Sequence, residues 1–202
     1  LYNAATDGWK DVLSVQYTDV LVRPGGKAIA TAMNFGICNF RTDFIGMRRL
    51  GGNSGYFSQN PNALAIDSKG HVYCTANDKD RLTSFQDTAI LQWVSEQGYA
   101  YFGSVDLDID GKDRIWVASR HQGIAMFDHT QWIYYSTNEG LVNNNMIDVY
   151  VDNQDRVWFS MEGGGLQFIQ DGKITTVELD GIPNNAEIRS IIQDPMGGYW
   201  FG

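Results

Sequence analysis

The sequence predicts an all-β chain of β-propeller blades, each of four antiparallel strands. Three observations predict it: tryptophans that return every 42 residues, an aspartate that keeps their rhythm, and a separate turn landmark with nearly the same period. Four blades plus partial ones are expected, cut from a larger propeller of about seven blades.

The first blade is expected over 11–51. There PGGKAIATAMNFGICNF (24–40) places Ile29 in the tryptophan slot, because Gly36-Ile37 and Phe40 then match Gly123-Ile124 and Phe127. The second, over 61–96, carries DSKGHVYCTA (67–76) with Tyr73 in that slot. The third (102–137) has DGKDRIWVAS with Trp116, and the fourth (145–179) has DNQDRVWFSM with Trp158. A partial blade over 187–202 ends in DPMGGYWFG with Trp200. Asp67, Asp110, Asp152 and Asp194 open these segments at spacings of 43, 42 and 42. The turn landmark runs through Asp7-Gly8, Gly55, Gln97-Gly98, Glu139-Gly140 and Asp180-Gly181.

Inside the fourth period the units are short and β-like: Met146 to Val151, Arg156 to Ser160, Gly165 to Ile169 and Lys173 to Glu178. They are joined by Asp152–Asp155, Glu162–Gly165 and Asp171-Gly172, which is turn chemistry. No long amphipathic helix is legible. Helical repeats and the shorter leucine-rich repeats therefore do not fit. Ile29, Tyr73, Trp116, Trp158 and Trp200 are read as blade-core residues that fill the blade-to-blade interface, because one isolated blade cannot cover side chains of that size.

At 202 residues and 43% hydrophobic content the chain can pack a core. Fifteen Lys and Arg against 24 Asp and Glu give −9, which repels polyphosphate, so no nucleic-acid partner is expected. No apolar stretch approaches the roughly 20 residues of a membrane helix, so no membrane contact by this segment is expected. Cys38 and Cys74 lie in different repeats outside any CxxC spacing and read as unpaired, packed thiols.

Aligned, the repeats read Asp-x-x-Gly/Asp-x-aromatic-Trp-hydrophobic-small, then Gly-hydrophobic-x-x-Phe, then an acidic-Gly-Leu turn. Asp152 to Phe168 and Trp132 to Leu141 carry the pattern most clearly. It resembles the two-component regulator propeller repeat of the periplasmic sensor regions of Bacteroidetes hybrid histidine kinases. The resemblance covers nearly the whole chain, most strongly from residue 102. It implies a non-catalytic, periplasmic or extracellular sensor that responds to a glycan-derived ligand and signals to a histidine kinase. It also implies that this segment closes its ring with remaining blades or with a second copy. Two other resemblances remain open: the surface-assembly or secretion-system scaffold propellers of Bacteroidetes, and the streptogramin lyases, propellers whose site uses His, Glu and Mg²⁺.

In a four-stranded meander the loops joining strands two to three, and strand four to the next blade, emerge on one face. The expected ligand contacts there are Trp9, Asn77, Lys79, Tyr99, Tyr101, Arg120, His121, Asn144 and Glu162: amides and charges for hydroxyl groups, aromatic rings for stacking on sugars. Asn and Gly are also what tight turns require. His121 and Glu162 follow the Trp strands of adjacent repeats, which brings them near one another in the lyase reading. Asp106-x-Asp108-x-Asp110-Gly111 has the opening of a calcium loop, but its twelfth position is Val117, so it reads as a strand and hairpin turn. No catalytic residue, metal or cofactor is expected.

Overall fold

A computed structural model of the chain describes residues 2–3, 8–9, 17–23, 27–32, 36–40, 47–50, 61–76, 82–86, 89–93, 99, 103–183 and 185–202. Among them every regular element is a strand, and no helix is long and apolar enough to cross a membrane. A short ribbon pairs β1 (Tyr2–Asn3) with β2 (Gly8–Trp9). Four four-stranded antiparallel sheets follow, paired strictly in chain order. The first is β3 (Tyr17–Arg23), β4 (Lys27–Ala32), β5 (Gly36–Phe40) and β6 (Met47–Leu50). The second is β7 (Pro61–Ile66), β8 (Val72–Ala76), β9 (Leu82–Gln86) and β10 (Ala89–Trp93). The third is β11 (Ser104–Ile109), β12 (Ile115–Ser119), β13 (Ile124–Phe127) and β14 (Trp132–Tyr135). The fourth is β15 (Met146–Val151), β16 (Val157–Met161), β17 (Leu166–Gln170) and β18 (Lys173–Val177). A two-stranded sheet, β19 (Ile191–Gln193) and β20 (Tyr199–Phe201), ends the chain.

The chain is a run of propeller blades. The first strands of successive sheets are neighbours, β3 with β7, β7 with β11, β11 with β15 and β15 with β19, and so form the inner wall. In the register, Ile29 stands opposite Leu21, Tyr73 opposite Ala65, Trp116 opposite Asp108, Trp158 opposite Tyr150 and Trp200 opposite Ile192. The slot found by counting is thus the same place in each of these five sheets.

The slot also has its own polar partner. Asp110 accepts bonds from the backbone N–H groups of Lys112 and Arg114 (both 3.0 Å), from Arg114 Nε (2.6 Å) and from the indole N–H of Trp116 (2.9 Å). Asp152 repeats this with Gln154, Arg156 and Trp158, and adds the Tyr199 hydroxyl at 2.6 Å. Asp194 repeats it with Met196, Gly198 and, at 3.2 Å, Trp200. One carboxylate therefore closes the turn and fixes the indole six residues on. Arg114 and Arg156 lie over those indoles, 5.5 and 5.2 Å from the ring centroids, adding cation–π attraction.

Trp116 is 1% exposed, covered by Val149, Val157 and Phe159 of the fourth sheet. A tryptophan buries about 150–250 Å², so its seam contributes up to about 4–6 kcal/mol. Trp158 is covered in the same way by Ile188, Ile191, Tyr199 and Phe201. Trp200 departs from the expected core role: it is 67% exposed, and among the described residues no sheet lies over β20. Cys74 is a buried free thiol whose pKa burial pushes up. The Cys38 side chain lies outside the described residues.

Candidate functional site: the channel mouth

Each of the first four inner strands carries a register shift near its start, at Tyr17/Asp19, Pro61/Leu64, Ser104/Asp106 and Met146/Asp148. A bulge leaves one residue out of the ladder and re-aims its side chain. At the end of the chain, Arg189 and Ser190 both donate their N–H to the Gly202 carbonyl, the same two-against-one arrangement. The out-of-ladder residues Asn62, Val105, Ile147 and Arg189 all line one cleft of about 400 Å³ at the channel mouth. Arg120 and Glu162, each four residues beyond its tryptophan, join them from the loops after β12 and β16, with Met146 and Glu187 completing the wall.

Hydrogen bonds hold this rim. Asn62 donates its amide to the Ser104 carbonyl of the next blade, and the Thr18 hydroxyl donates to the Pro61 carbonyl (2.8 Å). The Arg120 N–H is bonded to the Gly103 carbonyl (3.0 Å), and the Glu162 N–H to the Asn145 carbonyl (2.8 Å). Asn145 links two of the expected residues: its amide donates to Glu162 Oε2 (3.0 Å), and its Oδ1 lies 3.3 Å from His121 Nδ1. Asn143 adds a bond to the Glu162 carbonyl (2.9 Å), and Glu187 pairs with Arg189 (2.8 Å). The cleft thus presents guanidinium, carboxylate and amide groups from four successive sheets.

Beneath the mouth the inner strands are stitched by carboxylates. Asp19 accepts the Leu64 N–H (2.7 Å), Asp106 that of Val149 (3.0 Å) and Asp148 that of Ile191 (2.8 Å), each reaching the following blade at the same register position. Asp108 does the same for Val151 (2.7 Å). These bonds satisfy donors that an uncovered strand edge would leave open. Burial, and then the charge of Asp148, hold the Asp106 pKa well above the ordinary carboxylate range, and burial raises that of Asp148 as well. Burial pushes Asp108 up to about 6. With each of these carboxylates capping backbone N–H, the Asp106–Asp110 segment is strand and hairpin turn. Among the described residues no group of three His, Cys, Asp or Glu is placed to hold a metal ion.

The expected contacts divide accordingly. Arg120 and Glu162 line the cleft, and His121 stands beside it through Asn145. Tyr99 does not belong there: it is 0% exposed, its ring 4.7 Å from that of Trp132, and it packs in the seam between the second and third sheets. Asn144 is committed to its turn, accepting the Thr137 N–H on its side chain (2.8 Å) and the Gly123 N–H on its carbonyl (2.9 Å). Trp9 lies in strand β2 rather than a loop, and its side chain, like all of Asn77, Lys79 and Tyr101, lies outside the described residues. No aromatic ring lines the cleft among the described residues. Asn62, Val105, Ile147 and Arg189 were not foreseen as a set; their signal is position, five residues before each repeat aspartate.

No family model and no curated protein sequence matches the chain. Its fold is similar to that of virginiamycin B lyase from Staphylococcus aureus, with a TM-score of 0.76 at 15% identity over 94% of this chain and 64% of that one. It is also similar to the extracellular domain of a putative hybrid two-component system from B. thetaiotaomicron, with a TM-score of 0.79 at 16% identity, over 100% of this chain and 29% of that one. A second such domain from that organism gives 0.76 at 12%, over 96% and 26%. The chain therefore spans under two thirds of the length of each. At these identities the likeness establishes the propeller fold, which the extracellular sensor domains and the lyase share.

Proposed function

We propose that this chain is the non-catalytic, ligand-sensing propeller segment of a periplasmic or extracellular signalling protein of the hybrid two-component kind, and that a glycan-derived ligand occupies the channel-mouth cleft. The observation that carries this reading is the cleft's construction: its polar groups come from four successive sheets, so one ligand touches several blades at once. A ligand that binds one arrangement of blades better than another shifts the population toward it, and that rigid-body change is what a downstream kinase would receive. The likeness to hybrid two-component extracellular domains supports the same reading.

The experiment is an oligosaccharide panel screened against the wild-type chain, Arg120→Ala and Glu162→Gln. Saturable binding that weakens about tenfold in each variant supports the reading; binding insensitive to both, or none across the panel, contradicts it. The His121–Asn145–Glu162 linkage favours the lyase as the second reading, tested by incubating the chain with virginiamycin B and Mg²⁺ and looking for the ring-opened product. The sensing reading predicts none.

A further inference from the structure

Two equivalent loops of the channel mouth are closed differently. The Arg120 N–H reaches the Gly103 carbonyl at 3.0 Å, and 42 residues further on the Glu162 N–H reaches the Asn145 carbonyl at 2.8 Å. Both loops belong to complete four-stranded sheets, so like blades are being compared. In the third blade a glycine is enough for this backbone bond. In the fourth an asparagine stands in its place, and its side chain bridges two loops: Nδ2 donates to Glu162 Oε2 (3.0 Å), and Oδ1 lies 3.3 Å from His121 Nδ1. The bridge is therefore additional to the bond that closes the blade.

The chemistry of the bridge fixes where the imidazole proton sits. An ionised carboxylate only accepts, so the amide nitrogen must face Glu162 and the amide oxygen is turned toward His121. That oxygen also only accepts, so Nδ1 of the neutral ring carries the hydrogen and Nε2 is left as an acceptor. The surrounding backbone holds the three residues in place. The Asn145 N–H donates to Asn143 Oδ1 (3.0 Å), and the Asn143 amide donates to the Glu162 carbonyl (2.9 Å). On the other side the N–H groups of His121 and Gln122 are tied to the buried Ser119 hydroxyl (3.1 and 2.9 Å), and the Gly123 N–H to the Asn144 carbonyl (2.9 Å). Three loop segments are locked together, while the side chains of His121 and Glu162 stay exposed.

We propose that Asn145 is a positioning residue for a hydroxyl-bearing ligand: it holds His121 as the Nδ1–H tautomer and orients Glu162, so that Nε2 and the remaining carboxylate oxygen accept from two hydroxyl groups. The inference rests on the cleft reading above and names the group that the ligand must present. Arg120 and Arg189 line the same cleft and can only donate, whereas Glu162 and Glu187 accept. A hydroxyl group does both, so a polyol satisfies either side of the cleft. An ether has no hydrogen to give to Nε2 or Glu162.

The test reads the imidazole directly, by long-range proton–nitrogen NMR of the whole chain at about pH 8, above the ordinary imidazole range. The His121 signals are assigned by their loss in His121→Gln. The expected result is the Nδ1–H pattern in the wild type and in Asn145→Asp, which keeps an acceptor for Nδ1, and its loss in Asn145→Ala. An Nε2–H pattern in the wild type, or an Nδ1–H pattern that survives Asn145→Ala, overturns the inference. Sorbitol is then added as the hydroxyl probe, with tetraethylene glycol dimethyl ether as the probe that has oxygens and no hydroxyl. Sorbitol should shift Nε2 saturably and bind about tenfold more weakly to Asn145→Ala, and the ether should leave Nε2 in place. An equal shift with the ether overturns the inference. If sorbitol moves the Met146 and Ile147 methyls but not Nε2, the inference falls while the cleft reading stands. No sorbitol shift at any of these positions overturns the inference and counts against the cleft reading as well.

Discussion

Replacing Asp152 by alanine tests the carboxylate that organises each blade. Asp152 is 4% exposed and accepts from two backbone N–H groups, Arg156 Nε, the Trp158 indole and the Tyr199 hydroxyl. The last bond comes from the next sheet, so the substitution strikes both the turn and the seam. Removing one partner of a buried ion pair costs about 3–5 kcal/mol, because the other charge stays desolvated. For a chain of this length that lowers Tm by roughly 10 °C. Asp194→Ala removes the equivalent carboxylate from an exposed turn with no arginine on it, and is expected to cost much less. The pH dependence has a defined sign. Burial opposes ionisation of Asp152, but the bonds from Tyr199, Trp158 and Arg156 outweigh it and bring its pKa to about 2. A carboxyl with a lowered folded pKa stabilises above the unfolded value of about 4, and its contribution is lost as pH falls toward 2. Urea and thermal unfolding from pH 7 to 2 measure both quantities. An Asp152→Ala chain within about 1 kcal/mol of wild type, or an Asp194→Ala chain destabilised as much, would refute the reasoning.

Three further outcomes are expected. Asp108 binds its proton more readily folded than unfolded, so it makes stability fall as pH rises from about 4 to about 6, and Asp106, raised further by burial and Asp148, acts in the same direction. Asp108→Asn should flatten part of that fall in a Tm–pH series, while Asp106→Leu, which leaves the Val149 N–H without its acceptor, should destabilise at every pH. Trp116→Ala should cost about 3–5 kcal/mol in urea unfolding, against about 1 kcal/mol or less for the exposed Trp200→Ala; equal costs would contradict the seam assignment. Cys74, buried with a raised thiol pKa, should resist alkylation until the chain unfolds, as peptide mass spectrometry can follow; rapid native-state labelling would contradict its placement.

The blade architecture was legible because two independent residues of each blade have fixed jobs. A seam needs one large ring per blade, and its turn needs one carboxylate, so Trp116, Trp158 and Trp200 and their aspartates recur at the period of the fold. The strands read for the fourth repeat match β15–β18 to within a residue or so at most ends. The site was less legible. Loop order put Arg120 and Glu162 on one face, and both line one cleft, but it does not say which way a side chain turns, and Tyr99 turns into the seam against Trp132. Asn62, Val105, Ile147 and Arg189 share a position and no chemistry, so only the bulge, visible in the strand register, makes them a set. The carboxylate stitch was hidden for a similar reason. Asp106 and Asp148 look like solvent-facing strand residues until the next blade's N–H groups are seen opposite them.

The central claim is that a ligand binds where several blades meet at the channel mouth. Hydrogen–deuterium exchange, with and without the tightest oligosaccharide from the panel, tests it most directly. The account predicts protection together at 103–105, 120–121, 145–147, 162–165 and 187–189. Protection confined to the opposite-face turns at 110–114 and 152–156, or no protection at saturating ligand, would contradict it.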